Sequence, residues 1–370
     1  MVRGNFARYR SRVRQLPEFG GELPVAVLAE EIETAGPGQI RALVTAAGNP
    51  VLSAPNGARL SRALGQLDFM VSVDFYLNET TRHAHLILPP TGPLEHDHYD
   101  VALQLLAVRN GAKYSGPLFP RSPEQRHDFE IFNALIERLA GDSGPRSWFA
   151  KARAGVMAQL GTAGVLDLLL RTGPYGVFSR GDKGLSLAAL KSAPHGLDLG
   201  ALRPCLRQRL GASHQRIELA PEPMQADVQR AAQALVRPAD TALVLIGRRH
   251  LRSNNSWLHN SPRMIKGPQR CTLQMNPRDA AERGLSQGAR VVLRSKVGQV
   301  EVPLEITEQV MQGVVSLPHG FGHNRSGTRL AVANASAGAS INDVTDETRV
   351  DLLSGNASFS GVPVEVERVA

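Results

Sequence analysis

Short apolar runs that stop at Gly, Asn or Asp recur along this chain, and their spacing divides it into regions. Residues 40–46 read as a strand stopped by Gly48-Asn49-Pro50, residues 69–73 as a second ended by Asp74, and residues 84–88 as a third ended by Pro89-Pro90. Between the first two, residues 56–64 have helical spacing with Asn56 placed to cap them. Strands alternating with helices predict a parallel sheet, where ligands gather beyond the carboxyl ends of the strands. Asn49 and Asp74 both sit at such ends. Helical periodicity continues over residues 127–139 and 148–170, up to Gly173-Pro174, and residues 171–240 are rich in Gly, Pro, Ala and Arg. From Leu243 onward the texture becomes one of short strands and turns. Residues 241–246, 289–294, 300–306 and 313–317 are strand candidates, Gly288, Gly298 and Gly313 mark turns, and residues 276–284 form a short helix with a Gly stop. The expected fold class is therefore α/β, a partial Rossmann-like parallel sheet, followed by a compact β-barrel. The expected domains are 1–150 for the α/β region, 151–238 for a helical or irregular connector, and 239–370 for the barrel.

The segment with most chemistry follows the strand at 241–246. It supplies Gly247, Arg248, Arg249, His250 and Arg252, then Ser253, Asn254, Asn255, Trp257 and His259. Guanidinium groups bind phosphate through paired, charge-assisted hydrogen bonds, and side-chain amides can read the edge of a purine or pterin ring. A solvated loop is the simpler reading of the basic residues alone. Trp257 and His259 shift the weight toward a site for a large anionic ligand rich in hydrogen-bonding groups.

Bulk properties narrow the classes. The 370 residues suffice for two or three domains, and 42% hydrophobic with 21% charged residues is ordinary for a globular protein. No apolar run is long enough to cross a bilayer, and the basic N-terminus lacks the apolar core of a secretory signal. Two cysteines, Cys205 and Cys271, give neither a disulfide framework nor a metal-ligand spacing, so a cytoplasmic location is expected. The net charge of +8 is spread out and comes without a nucleic-acid-binding motif, so no nucleic-acid partner is expected.

Three ordered stretches resemble the molybdopterin oxidoreductases, the dimethyl sulfoxide reductase family that includes formate dehydrogenases and nitrate reductases. They are VSVDFYLNETTRHAHLILPPTGPLEHDHYD at 71–100, GRRHLRSNNSWLHN at 247–260, and LQMNPRDAAERGLSQGARVVLRSKVGQVEVPLEIT with GVVSLPHGFGH within 273–323. The last resembles the family's molybdopterin-dinucleotide-binding domain, which implies a double-psi β-barrel. The resemblance implies molybdopterin guanine dinucleotide, two copies holding one molybdenum or tungsten. It places Asn49 and Asp74 at guanosine-binding positions, although a strand-end Asp is equally a turn residue. Glu79 and Thr80 belong to the same signature, with capping of the loop as the alternative reading. His96 falls where some relatives carry a basic residue near the cofactor, and His96-Asp97-His98 lacks a third ligand for a metal site. Gly247 to His250, Ser253 to Asn255 and His259 resemble the segment wrapping pterin and pyrophosphate. Asn342 matches an Asn that hydrogen-bonds a pterin, an Asx-turn being the alternative. His319 and His323 are read as shaping a Gly-rich turn, outside the site.

The resemblance also implies parts that these residues do not supply. No Cys-x-x-Cys spacing occurs, neither cysteine matches the family's metal-ligand position, and no catalytic residue or metal ligand is assigned. The expectation is the C-terminal half of an enzyme, inactive alone, with exposed α/β core surface and an iron–sulfur cluster only in the missing N-terminal part. Its expected partners are the cofactor and either the missing half or a partner subunit. The alternative is a non-enzymatic module that binds a nucleotide cofactor or partner subunit. Substrates such as formate, nitrate and sulfoxides are not separable at this level.

Overall fold

The computed structural model describes residues 6–141, 144–210, 217, 219–235 and 243–369, so Thr241 and Ala242 of the expected strand lie outside the described residues. The chain divides into two compact units, residues 1–87 with 211–370, and residues 88–210.

The first unit holds an open sheet and a closed barrel. We number their strands in chain order. The sheet comprises β1 (Ala42–Ala46), β2 (Phe69–Val73) and β3 (Leu86–Ile87), paired in that order and parallel throughout. The third strand is shorter than the apolar run suggests, because the following Pro89-Pro90 has no N–H groups for a ladder. Between β1 and β2 runs the helix Gly57–Leu64, whose first turn is capped by the Asn56 side chain accepting from Arg59 N at 3.2 Å. Its Leu60, Ala63 and Leu64 pack with Ile32, Val51 and Met70 into the core on one side of the sheet. The other side is covered unevenly, with Val71 and Val73 buried on it. Val44, Phe69 and Leu86 share that outer face by register and are 51%, 50% and 47% exposed, whereas parallel sheets are ordinarily covered on both faces.

The barrel closes from β4 (Leu243–Arg248), β5 (Leu273–Met275), β6 (Arg290–Arg294), β7 (Gln299–Ile306), β8 (Val314–Pro318) and β9 (Val362–Arg368). Around the barrel the order is β4-β8-β5-β7-β6-β9, with β9 returning to β4. Two of the six pairings, β4 with β8 and β5 with β7, are parallel. Alternation turns Val291 and Leu293, Val302 and Leu304, and Val362, Val364 and Val366 inward onto Leu245, Leu273 and Leu317. The barrel's last turns are sewn to the sheet. Glu347 accepts from Asn56 Nδ2 at 2.9 Å and from Arg59 at 2.6 Å, and Arg329 N donates to the Leu77 carbonyl at 2.8 Å.

The second unit is a helical body with small ladders. Its helix Asp128–Leu139 begins with Glu130 accepting from His127 N at 2.8 Å. The helix Pro145–Thr172 is interrupted at Gly161, where φ is +61°. Leu170, Leu185, Leu187 and Leu190 form its core. No helix among the described residues is long and apolar enough to cross a membrane.

Candidate functional site

The site is assembled at the carboxyl ends of β1 and β2. These strands run in register, Ala46 opposite Val73, so the segments following them leave side by side. The Asn49 side chain donates to Glu79 Oε2 at 2.7 Å and accepts from the Thr80 hydroxyl at 2.7 Å. Asp74 closes a turn, accepting from Tyr76 N at 2.9 Å and from the Asn78 amide at 3.2 Å. Burial raises the Asp74 carboxyl above its ordinary range, against the pull of those donors. The turn role that the sequence allowed for Asp74 is thus present in the structure.

The second component is the loop leaving β4. Arg248, partly buried, directs its guanidinium at the carbonyls of Ser316 and Thr272, at 2.6 and 2.8 Å, and so ties β4 to β8 and the start of β5. Its field reaches the loop while its donors are spent on the barrel rim. Arg249 hydrogen-bonds Asn255 Oδ1 on the surface. Asn254 and Asn255 adopt φ of +42° and +63°, a conformation Asn tolerates better than most residues. Ser253 is buried, and its N–H donates to the His250 carbonyl at 3.0 Å. The loop rests on Gly320 (φ +94°), where a Cβ would lie 2.1 Å from the Asn255 carbonyl oxygen. Arg249, Arg252, Arg263, Lys266 and Arg270 cluster in this sequence, and among the described residues none makes an ion pair with a carboxylate; Arg252 and Arg270 instead both donate to the Lys266 carbonyl. Burial first, then Arg270, Arg248 and Arg252, lower the proton affinity of His250. Gly247 needs no glycine for conformation, and a Cβ there would lie in ordinary contact, 3.6 Å from Ile341 Cδ1. Trp257 is exposed.

Between the two components lies a buried chain of ionisable groups. Glu79 Oε1 is 2.9 Å from His323 Nδ1, and His323 Nε2 is 2.9 Å from His259 Nδ1. Exposure is 0% for Glu79, 2% for His323 and 4% for His259. The outer nitrogen of this chain, His259 Nε2, is buried with no hydrogen-bond partner among the described residues. Phe321 packs on the His259 ring at 4.2 Å between centroids. Burial, then the neighbouring His323, pushes His259 down to about 4. Burial pushes Glu79 up, but hydrogen bonds from His323 and Asn49 bring it below the ordinary carboxylate range.

The structure therefore brings Asn49, Asp74 and His259 into one neighbourhood of hydrogen bonds through residues 78–80 and 323. It also adds Glu79 and His323, which the sequence reading left as a loop cap and a turn residue. Asn342 is fully buried and spent on protein, donating to the Leu52 carbonyl at 2.7 Å and accepting from Thr345 at 3.0 Å. His96 belongs to the second unit, where its Nδ1 donates to the Asp97 carbonyl at 2.9 Å and its ring centroid is 6.2 Å from that of His127. Among the described residues no group of three or more His, Cys, Asp or Glu is placed to hold a metal ion. Cys271 is buried beside Gly338 and Ala339, and Cys205 is exposed.

Comparison with known proteins gives this arrangement a family. Residues 3–138 match the molybdopterin oxidoreductase model, and residues 243–363 match that of the molydopterin dinucleotide binding domain. The NADPH-Fe(3+) oxidoreductase subunit alpha of Geobacter sulfurreducens is 26% identical over 307 residues, covering 82% of this chain and 30% of that protein. The probable oxidoreductase YoaE of Bacillus subtilis is 24% identical over 334 residues, covering 89% of this chain and 44% of that one. The chain thus spans less than half the length of either relative. Acetylene hydratase from Pelobacter acetylenicus has the same fold, with a TM-score of 0.69 at 13% identity over 95% of this chain and 47% of that structure. On these matches, the chain belongs to the molybdopterin oxidoreductases, and its barrel region is their dinucleotide-binding domain.

Proposed function

We propose that this chain is the molybdopterin guanine dinucleotide-binding part of a molybdenum- or tungsten-dependent oxidoreductase. The observation that carries the reading is that Arg249, Arg252, Arg263, Lys266 and Arg270, on the loop held close against Gly320 and the segment that follows it, make no ion pair with a carboxylate among the described residues. Such a cluster is self-repelling until an anion meets it, and a pyrophosphate supplies the required charge. The unpartnered Nε2 of His259 fits the same guest, because a pterin ring carries N–H donors and a buried acceptor without one costs about 1–3 kcal/mol.

In this reading Arg249 and His250 meet pyrophosphate, with Arg248 contributing mainly its field. Ser253, Asn254, Asn255 and the backbone at Gly247 line the dinucleotide, and His259 meets the pterin. Asp74 and Asn49 stand where guanine would be read, since a carboxylate suits the two adjacent donors on that base. Asn342 supports the site from behind, through Leu52. His96 is assigned to the cofactor's surroundings by resemblance alone. When bound, the cofactor and its metal supply the redox chemistry, and the protein orients and tunes them. The full set is a pair of dinucleotides around one metal, with a double-psi barrel as the binding domain and any iron–sulfur cluster held by polypeptide other than these residues. The domains in this reading are 1–150, 151–238 and 239–370.

Val44, Phe69 and Leu86, about half exposed on the sheet's outer face, support a covering layer from further polypeptide, either a partner subunit or another part of a longer chain. A relative bears the name subunit alpha. Calorimetric titration with guanosine diphosphate tests the pocket. Saturable binding that prefers guanine to adenine, and weakens about fivefold in Asp74→Asn, is expected. A folded chain that binds no guanosine diphosphate, and carries neither nucleotide nor molybdenum or tungsten from a cofactor-making host, overturns the reading.

A further inference from the structure

We propose that Glu79, His323 and His259 form a buried one-proton relay, with His259 Nε2 as the end that exchanges a proton with a ring N–H of the bound cofactor. The identity of that ligand rests on the function proposed above; the relay itself rests on geometry. Glu79 Oε2 already accepts from Asn49, and Oε1 lies against His323 Nδ1, so a carboxylate there requires Nδ1–H on His323. That leaves a lone pair on His323 Nε2, which requires His259 to donate from Nδ1. The remaining lone pair falls on His259 Nε2, the buried atom with no partner. A purely structural network would end on a satisfied group. This one ends on a nitrogen with no hydrogen-bond partner among the described residues, on a ring where the Gly320 carbonyl favours a proton.

Adding one proton moves charge along the chain. An N–H bond forms at His259 Nε2, the Nδ1–H bond of the same ring breaks, and that proton binds His323 Nε2. His259 stays neutral with its tautomer reversed, and the imidazolium forms on His323 against the Glu79 carboxylate. No electron is transferred and the pair gains one positive charge. The surroundings favour this placement. Burial, His323 and His250 all oppose charge on His259, which only the Gly320 carbonyl and Glu79 favour, while His323 touches Glu79 directly. Glu79 is accordingly a positioning residue, acting through His323 on the group that meets the ligand.

Long-range nitrogen–proton spectra of the histidine-labelled full chain across about pH 8 to 4 test the relay directly. At the upper end both rings are expected as Nδ1–H tautomers. When the pair takes up one proton, the doubly protonated ring is expected to be the one against Glu79, while His259 switches to Nε2–H and stays neutral. In Glu79→Gln the switch requires at least tenfold more protons. A His259 ring already Nε2–H at the upper end, or two rings that titrate without a tautomer reversal, overturns the relay on the wild-type chain alone. Adding tetrahydrobiopterin, a pterin with ring N–H donors, is expected to move the His259 Nε2 resonance. An unmoved resonance in a chain that binds guanosine diphosphate overturns the pterin as the relay's ligand and leaves the nucleotide site standing. A relay seen in a chain that binds no guanosine diphosphate separates the two the other way.

Discussion

The side-chain amide of Asn342, a residue of the barrel's closing turns, donates to the backbone carbonyl of Leu52 beside the sheet at 2.7 Å. Both its amide and its carbonyl are used within the protein, and the residue is fully buried. Asn342→Ala strands the Leu52 carbonyl, leaves the Thr345 hydroxyl only its long bond to the backbone carbonyl of residue 342, and is expected to cost about 1–3 kcal/mol. Urea unfolding followed by tryptophan fluorescence measures it. Unchanged stability with weakened ligand binding would instead make Asn342 a direct contact of the cofactor.

How far the sequence reaches is clear from particular elements. Phe69–Val73 is recognisable because an apolar run meets a breaker at Asp74, and β6, β7 and β8 fall within one residue of the expected ends for the same reason. The three-residue β5 has no measurable period, and β9 alternates correctly at the chain's end but has no turn residue that singles it out. Asn49 and Asp74 are found from sequence because strand ends place them. Glu79 and His323 are not, since 244 positions separate them and a pairing across that distance leaves no local pattern. The Arg248 contacts are hidden similarly. A basic residue after a strand looks the same whether it meets phosphate or a neighbouring carbonyl.

Arg248 and Arg249 should separate cleanly. Arg248→Ala removes donors from carbonyls at the barrel rim and is expected to destabilise the fold by about 2–3 kcal/mol. Arg249→Ala, on the surface, is expected to change stability by less than about 0.5 kcal/mol and to weaken guanosine diphosphate roughly five- to tenfold. Thermal melts beside calorimetric titrations of both variants give the comparison. The reverse pattern would exchange their roles.

Stability should fall on mild acidification. His259 is held down to about 4 by burial and His323, and His83 to about 4 by burial, Arg82 and Arg325. Unfolded rings take up protons near their ordinary value of about 6.5, so between these limits the unfolded state binds more protons and stability declines as pH drops. Full passage through the window is worth up to about 3 kcal/mol per ring. Glu79, held low, adds a loss only at still lower pH, whereas the raised carboxyls of Asp74 and Asp343 offset part of the decline near their own titration. Melting temperatures from about pH 7.5 to 5 are expected to drop by several degrees, and by less in His83→Gln. A flat profile contradicts the buried neutral rings.

The exposed part of the sheet's outer face predicts association. Phe69, half exposed on the outer face beside Val44 and Leu86, gains little from folding and much from a covering layer. Light scattering after size exclusion is expected to show self-association of the chain that Phe69→Glu reduces, at a stability cost below about 1 kcal/mol. A wild-type chain that stays monomeric at high concentration would show that this face tolerates water.

Gly320 offers the sharpest test of the loop that carries the cations. At φ +94° it occupies backbone space that side chains rarely enter, and a Cβ there would meet the Asn255 carbonyl oxygen at 2.1 Å. Neither strain is relieved by turning a flexible side chain, because the obstacle is backbone. In Gly320→Ala the segment from Asn254 to Ser256 must lift away, which is expected to cost about 1–3 kcal/mol. It also carries Asn255 away from its bond with Arg249 and loosens the packing of Phe321 on His259. Loss of guanosine diphosphate affinity beyond that of Arg249→Ala, with the barrel still folded by circular dichroism, is the expected result. Retained affinity in Gly320→Ala would mean that ligand binding does not depend on the loop's close approach to this turn, and the pocket would have to be built without it.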